Sequence, residues 1–271
     1  MDETSLLGLA GRHALVIGGG QGMGESTAVM LARAGCDVAV LDVVAERAER
    51  VAASVETLGR RGIPLVGDVL DPASVAILVK QAETELGGID AMVSIVGAAV
   101  FGPLFETTEA IFDQQINLNL RYFFFAARAV AQGMIERGEP GTIIGIASVD
   151  GQRASPMRGI YGAAKAGLIS LVQTMAVEWA PHRIRVNAIA PGHIVTPRLY
   201  DTPQRAEGYA NSLIPMRSRG TTDDIGKAAL FLSSDLSRYV TGITLDVDGG
   251  LLAQNLFPVG LPSANLENTR G

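Results

Sequence analysis

Tyr161 and Lys165 stand four residues apart in Tyr-Gly-Ala-Ala-Lys, a spacing that puts both side chains on one face of a helix. A phenol ionises near pH ~10, too high for a good base at neutral pH, and a neighbouring ammonium favours the phenolate. The pair therefore suits proton transfer to or from a hydroxyl or carbonyl oxygen. Chance supplies such a pair rarely, because the 271-residue chain holds five tyrosines and only three lysines, Lys80, Lys165 and Lys227. The plainer alternative is a surface Tyr and Lys that share a helix.

A second chemical feature is Gly18-Gly19-Gly20-Gln21-Gly22-Met23-Gly24, which directly follows the apolar run His13–Ile17. A glycine turn between a strand and a helix aims backbone N–H groups and a helix N-terminus at a phosphate. The spacing is Gly18-x-x-x-Gly22-x-Gly24, and no frame gives G-x-G-x-x-G. Asp42 lies 18 residues past Gly24, at the end of the second apolar run. A carboxylate there accepts hydrogen bonds from adenosine ribose hydroxyls and repels a 2′-phosphate. Its competing use is to cap the helix that begins at Ala45. Neither Gln21 nor Val43 is basic, so a 2′-phosphate lacks a partner and NAD is expected over NADP. No His, Cys, Asp and Glu set has metal-ligand spacing, and no catalytic metal is expected.

These groups need a scaffold. Apolar runs at His13–Ile17, Asp37–Asp42, 63–68, 90–96, 142–148, 184–189 and 243–247 read as strands. Helical segments, including 25–34, 45–58, 71–86 and 161–180, fill most of the gaps. Nearly continuous apolar strands fit a parallel sheet covered on both faces, and the alternation predicts one doubly wound α/β domain over 1–253, with a tail from 254 to 271. A net charge of −6 disfavours nucleic acid and anionic membranes as partners. No run reaches the roughly 18 uninterrupted apolar residues of a membrane-spanning helix. The single cysteine, Cys36, rules out an internal disulfide and fits a reducing compartment; a cytoplasmic protein is expected.

With the glycine spacing, Asp42 and Tyr161-x-x-x-Lys165 in place, the chain resembles the short-chain dehydrogenases/reductases over about residues 8–252. The resemblance implies a Rossmann arrangement of seven parallel strands in order 3-2-1-4-5-6-7, and commonly a tetramer. It implies that Gly18, Gln21, Gly22, Met23 and Gly24 form the cofactor turn, with Asp68 and Val69 at the adenine and Gly97 further along. After the sixth strand, Pro191, Gly192, Ile194 and Thr196 match the segment that meets the nicotinamide, with the Ile194 backbone and the Thr196 hydroxyl on the carboxamide. Ser148, thirteen residues before Tyr161, matches the family's catalytic serine, whose hydroxyl orients the substrate oxygen and helps carry its charge. Asn119, in Asn-Leu-x-x-Phe-Phe, matches the residue that bends its helix and holds a water linking Lys165 to solvent; Asn117 is its chemical rival at a poorer spacing. Two positions depart from the family: Ile17 replaces a usual Thr, and Ser94-Ile95-Val96-Gly97 replaces Asn-Asn-Ala-Gly.

The expectation is an NAD-dependent oxidoreductase in which Tyr161 exchanges a proton with a secondary alcohol or ketone while a hydride passes to or from the cofactor. Val149, Asp150, Gln152, Met157 and Ile160 are candidate substrate lining beside Ser148 and Tyr161, within reach of a loop at about 193–215 whose lid spans 199–213. That lining is largely apolar and suggests a steroid, terpenoid or cyclic alcohol. Two rivals are a 3-oxoacyl thioester reductase, usually NADP-linked and so opposed by Asp42, and a nucleotide-binding regulator without turnover. His193 reads as an ordinary loop histidine. Four successive aromatics, Tyr122 to Phe125, cannot all face the sheet, and with the apolar helix ending at Trp179 they predict a homotetramer.

Overall fold

The computed structural model describes residues 6–197, 208 and 213–254. Seven parallel strands form one sheet in the order β3-β2-β1-β4-β5-β6-β7, as expected. They are β1 (His13–Ile17), β2 (Asp37–Asp42), β3 (Gly62–Val66), β4 (Ala91–Ser94), β5 (Gly141–Ile146), β6 (Ile184–Pro191) and β7 (Thr244–Val247). Successive side chains leave a strand on opposite faces, and two cores result. Leu15, Met92 and Ile143 pack on one face with Phe123, Leu168 and Val172. Val16, Val93 and Ile144 pack on the other with Leu31, Val51 and Leu232.

The helices are α1 (Gly22–Arg33), α2 (Ala45–Glu56), α3 (Pro72–Leu86), α4 (Glu109–Ile116), α5 (Tyr122–Arg137), α6 (Gly159–Trp179) and α7 (Thr222–Ser233). α1 starts three residues before the expected 25 because the glycine turn supplies its first turn. β4 and β5 stop at Ser94 and Ile146, short of the expected 96 and 148. Beyond those points the backbone turns out of the sheet, and the residues it carries there belong to the site. The stretch 159–182 is long and apolar enough to cross a membrane by composition; here Leu168, Val172 and Met175 of that stretch are buried in the core beneath the sheet. The aromatic run divides as helix geometry demands. Tyr122 and Phe123 are buried, whereas Phe124 and Phe125 are partly exposed and meet edge to face at 5.2 Å.

The departure at Ser94 has a structural answer. Ser94 Oγ donates to the Tyr122 hydroxyl at 3.0 Å, and that hydroxyl donates to the Val96 carbonyl at 2.6 Å. Burial pushes the Tyr122 phenol well above its ordinary pKa, so it stays a donor. Tyr122→Phe should cost about 1–3 kcal/mol, the penalty of stripping a hydrogen bond from buried groups. Urea unfolding measures it, with an unchanged m-value expected.

Candidate active site

A groove of about 470 Å³ runs along the C-terminal edge of the sheet, past β1 and β4, where strand order reverses and doubly wound sheets bind ligands. Gly18, Gln21, Gly22 and Met23 line it on one side; Asp42, Asp68 and Val69 line one end, and Gly97 and Thr196 the other. Gly24 lies behind them: a Cβ there would come 2.0 Å from the Gly18 carbonyl oxygen, so α1 can begin against the turn only with glycine. Gly22 has φ +58. A Cβ at Gly20 would meet Asp42 Oδ2 at 2.5 Å. Asp42 is buried, and its Oδ2 and Oδ1 accept from Gly20 N and Val44 N, each at 3.0 Å. Asp42 is not itself the cap of α2, which is Val44, but it accepts from that residue's backbone N–H. It ties down the start of α2, and each oxygen keeps a further lone pair for a ribose hydroxyl. Arg50, which the sequence reading passed over, grips the turn by donating to the Gly20 carbonyl at 2.9 Å and pairing with Glu25. A groove floored by glycines, with backbone amides and a carboxylate at one end, fits a dinucleotide.

The groove opens at Met23, Gly97 and Thr196 into a chamber of about 190 Å³. Ser148, Asp150, Tyr161, Lys165, Pro191, Gly192 and Ile194 line this chamber. Ser148 follows β5 and caps the turn 149–151 by accepting from Asp150 N at 3.1 Å. α6 presents Tyr161 and Lys165 from the other side. Lys165 is buried, with Nζ donating to the Ile146 carbonyl at 2.7 Å and lying 5.7 Å from the Tyr161 ring centre.

Burial brings the Lys165 amine down to about 7. Burial raises the Tyr161 phenol; a hydrogen bond with Ser148 lowers it, the Asp150 charge raises it and the Arg158 charge lowers it. The sequence reading assigned the lowering to Lys165. Ser148 and Arg158 have that part here, because the lysine amine is turned to Ile146 and is itself stripped of solvation.

Asn119 lines neither cavity. It sits in a π-helical turn, Asn117–Arg121, which is the bend the sequence anticipated. Its Nδ2 donates to the carbonyls of Ala98 and Gln115, each at 3.0 Å, and its Oδ1 accepts from Ala98 N at 3.1 Å. Both amide protons are therefore taken up by protein, and Asn119 holds the loop that carries Gly97. Asn117 is partly exposed in the same turn. Gln115, one helical turn before Asn119, is a buried partner that only the i−4 spacing could have revealed.

Met157 lies outside the chamber lining. Its φ is +68 and its side chain is 52 % exposed; its carbonyl instead accepts from Gly102 N at 2.9 Å. Gln152 is also diverted, to Asp246 at 2.5 Å. The lid residues 199–212 fall outside those described, apart from 208. Arg158 was missed. It lines the chamber, pairs with Asp150 at 2.7 Å and stacks 5.6 Å over the Phe101 ring; its place three residues before Tyr161 was the available signal. Burial first, then Arg158, lowers the His193 pKa, which leaves a neutral imidazole at neutral pH.

A pH dependence follows. Lys165 holds its proton up to about 7 when folded but up to 10.5 when unfolded. Between those values the unfolded chain binds more protons, so stability rises with pH. The melting temperature of the protein without added cofactor should climb from about pH 7 to about pH 9, above which the buried Cys36 thiol, raised from 9.0 to about 12, opposes the trend, and Lys165→Met should flatten the climb.

Comparison with known proteins agrees with this geometry. The family model described as Enoyl-(Acyl carrier protein) reductase matches residues 18–252. A short-chain dehydrogenase/reductase of Armillaria gallica is 35 % identical over 252 residues, covering 89 % of this chain and 96 % of that protein. Mouse (Mus musculus) L-xylulose reductase is 36 % identical, covering 91 % and 99 %. The crystal structure of carveol dehydrogenase from Mycobacterium avium, in complex with NAD, superposes with a TM-score of 0.86 at 31 % identity, covering 90 % and 99 %. The matched span takes in the glycine turn, the chamber and β7, and the chain belongs to the short-chain dehydrogenase/reductase family.

Proposed function

We propose that this oxidoreductase interconverts a secondary alcohol and its ketone with NAD. The observation that carries the reading is the convergence of Ser148, Tyr161 and Lys165 on one chamber that opens onto the glycine-turn groove. A nicotinamide nucleotide bound in the groove supplies the two-electron acceptor for oxidation, or the donor for reduction. Tyr161 takes the hydroxyl proton in one direction and returns it in the other. Ser148 offers its hydroxyl to the same oxygen, and Lys165, whose Nζ donates to the Ile146 carbonyl, would hold the nicotinamide ribose. Ile194 and Thr196 line the same chamber and would hold the carboxamide. Asn119 fixes the backbone of Ala98, beside Gly97 of the chamber lining. Asp42 supports NAD over NADP, since a 2′-phosphate would lie against a buried carboxylate already fixed by two backbone amides.

For the substrate, exposed apolar side chains beside Arg158 and the start of α6 support a hydrophobic cyclic, terpenoid or steroid alcohol: Phe101, under Arg158, and Leu104, against Gly159, are 70 % and 63 % exposed. The terpenoid alcohol in the name of carveol dehydrogenase agrees with that choice. A cytoplasmic location goes with this reading. Initial rates at 340 nm over a panel of secondary alcohols test it. NADH should form, with kcat/KM at least tenfold higher for NAD than NADP, and Asp42→Ala should narrow the ratio. Equal use of NADP contradicts the cofactor assignment, and no turnover across the panel contradicts the activity.

The same reading includes a homotetramer built on twofold axes. α5 and α6 carry apolar groups away from the sheet: Phe124, Phe125 and Trp179 are partly exposed, and Val177 is 77 % exposed. Light scattering after size exclusion should give four times the 28.4 kDa chain mass. A stable monomer at micromolar concentration contradicts the assembly.

A further inference from the structure

A cleft of about 670 Å³ lies at the opposite end of the sheet from the groove and the chamber, and shares no lining residue with either. Arg12 before β1, Asp90 before β4, Gly141 at the start of β5 and Ile184 at the start of β6 line it. Ser233, at the end of α7, and residues 238–241, before β7, complete it.

The chain carries a net charge of −6, yet four arginines line this cleft against two carboxylates, Asp90 and Asp235. Helix C-termini attract cations, and that accounts for two of the four. Arg183 donates to the Gly138 carbonyl beyond α5 at 2.6 Å, and Arg185 to the Ser234 carbonyl beyond α7 at 3.4 Å. Arg12 stands 3.6 Å from Asp90. Arg238 has no such use: it is exposed, and its guanidinium makes no hydrogen bond or ion pair among the described residues. Two further groups lack what an anion supplies. Burial lowers the Arg185 pKa, so that cation gains from a negative neighbour. The Ser233 hydroxyl is buried without a hydrogen-bond partner among the described residues, and such groups are rare.

An oxyanion accepts from guanidinium and hydroxyl alike. A bare inorganic ion fills little of this space, which falls within the roughly 300–1,000 Å³ of small-molecule sites. The rest of the occupant meets apolar surface: Leu9, Ile184 and Val240 line the cleft, and Tyr239, next to Arg238, is 100 % exposed. We propose that the cleft is a second ligand site, which takes a small organic oxyanion, a carboxylate or a phosphate ester on an apolar body. Arg238 meets the charged group and Tyr239 covers the body. The proposal stands apart from the oxidoreductase reading and needs no turnover.

Isothermal titration with phenyl phosphate and with benzoate tests it, in saturating NADH so that the glycine turn is occupied. Inorganic phosphate and phenol are the comparisons. At least one of the two organic anions should bind one site per chain, more tightly than either comparison, and the tighter of the two identifies the charged group. Arg238→Gln should weaken that anion roughly tenfold or more, the loss of one charge-assisted hydrogen bond. Arg238→Lys should keep most of the affinity, and Tyr239→Ala should reduce the advantage over inorganic phosphate. Arg238 has no partner to lose, so its variants should melt with the parent protein. The inference is overturned by no saturable binding of either organic anion, by inorganic phosphate or phenol binding as tightly, or by unchanged affinity in Arg238→Gln.

Discussion

Lys165 imposes the tightest constraint on the site. Its amine is buried at the bottom of the chamber, 2.7 Å from the Ile146 carbonyl, and burial alone pulls its pKa to about 7. To reach that carbonyl, α6 must approach the turn after β5 at backbone distance. Two glycines permit it. A Cβ at Gly151 would come 2.8 Å from the Lys165 carbonyl carbon, and one at Gly162 would come 2.8 Å from the Asp150 carbonyl oxygen. A third, Gly97, keeps the other side open: a Cβ there would stand 3.0 Å from Lys165 Nζ and 2.8 Å from Asn119 Oδ1. Asn119 can hold the Gly97–Ala98 loop close to the lysine only because the π turn carries its side chain there. The positions of β4, β5, α5 and α6 around the chamber are thus linked through one amine.

The electrostatics of the chamber follow from the same closeness. Burial raises the Tyr161 phenol, and the opposing charges of Asp150 and Arg158 act on it from one side. The resting tyrosine is a neutral phenol, ready to give a proton to a ketone oxygen. Oxidation asks for the reverse, so it depends on positive charge arriving near the ring. Within the chamber, burial pulls the lysine pKa down and Arg158 is paired with Asp150.

Much of this was legible in the residues. Parallel strands covered on both faces are continuous apolar runs, so all seven were found and their order followed from the family resemblance. Their C-terminal ends were not, because Ile95 to Val96 and Ala147 to Ser148 look like strand but turn out to line the groove and the chamber. Asp42 and the glycine turn were readable because sterics and charge leave few other residues that serve. The backbone of Met157 was not readable, since nothing in a methionine announces φ +68. Tyr122 was hidden for another reason: its partner Ser94 is 28 residues away, and only the fold brings the two together. Arg158 escaped because the helix was read from 161, whereas α6 starts at Gly159 with Arg158 at its cap.

The central claim is that the Tyr161 hydroxyl moves the proton. Tyr161→Phe keeps the ring packed and removes only that group, so NADH binding and chemistry can be measured apart. Fluorescence titration of the variant with NADH should give a Kd close to that of the parent protein. Single-turnover formation of NADH from an alcohol that the parent oxidises should slow by roughly 10²-fold or more. Unchanged binding with a near-normal single-turnover rate would show that the proton leaves by another route and would contradict the account.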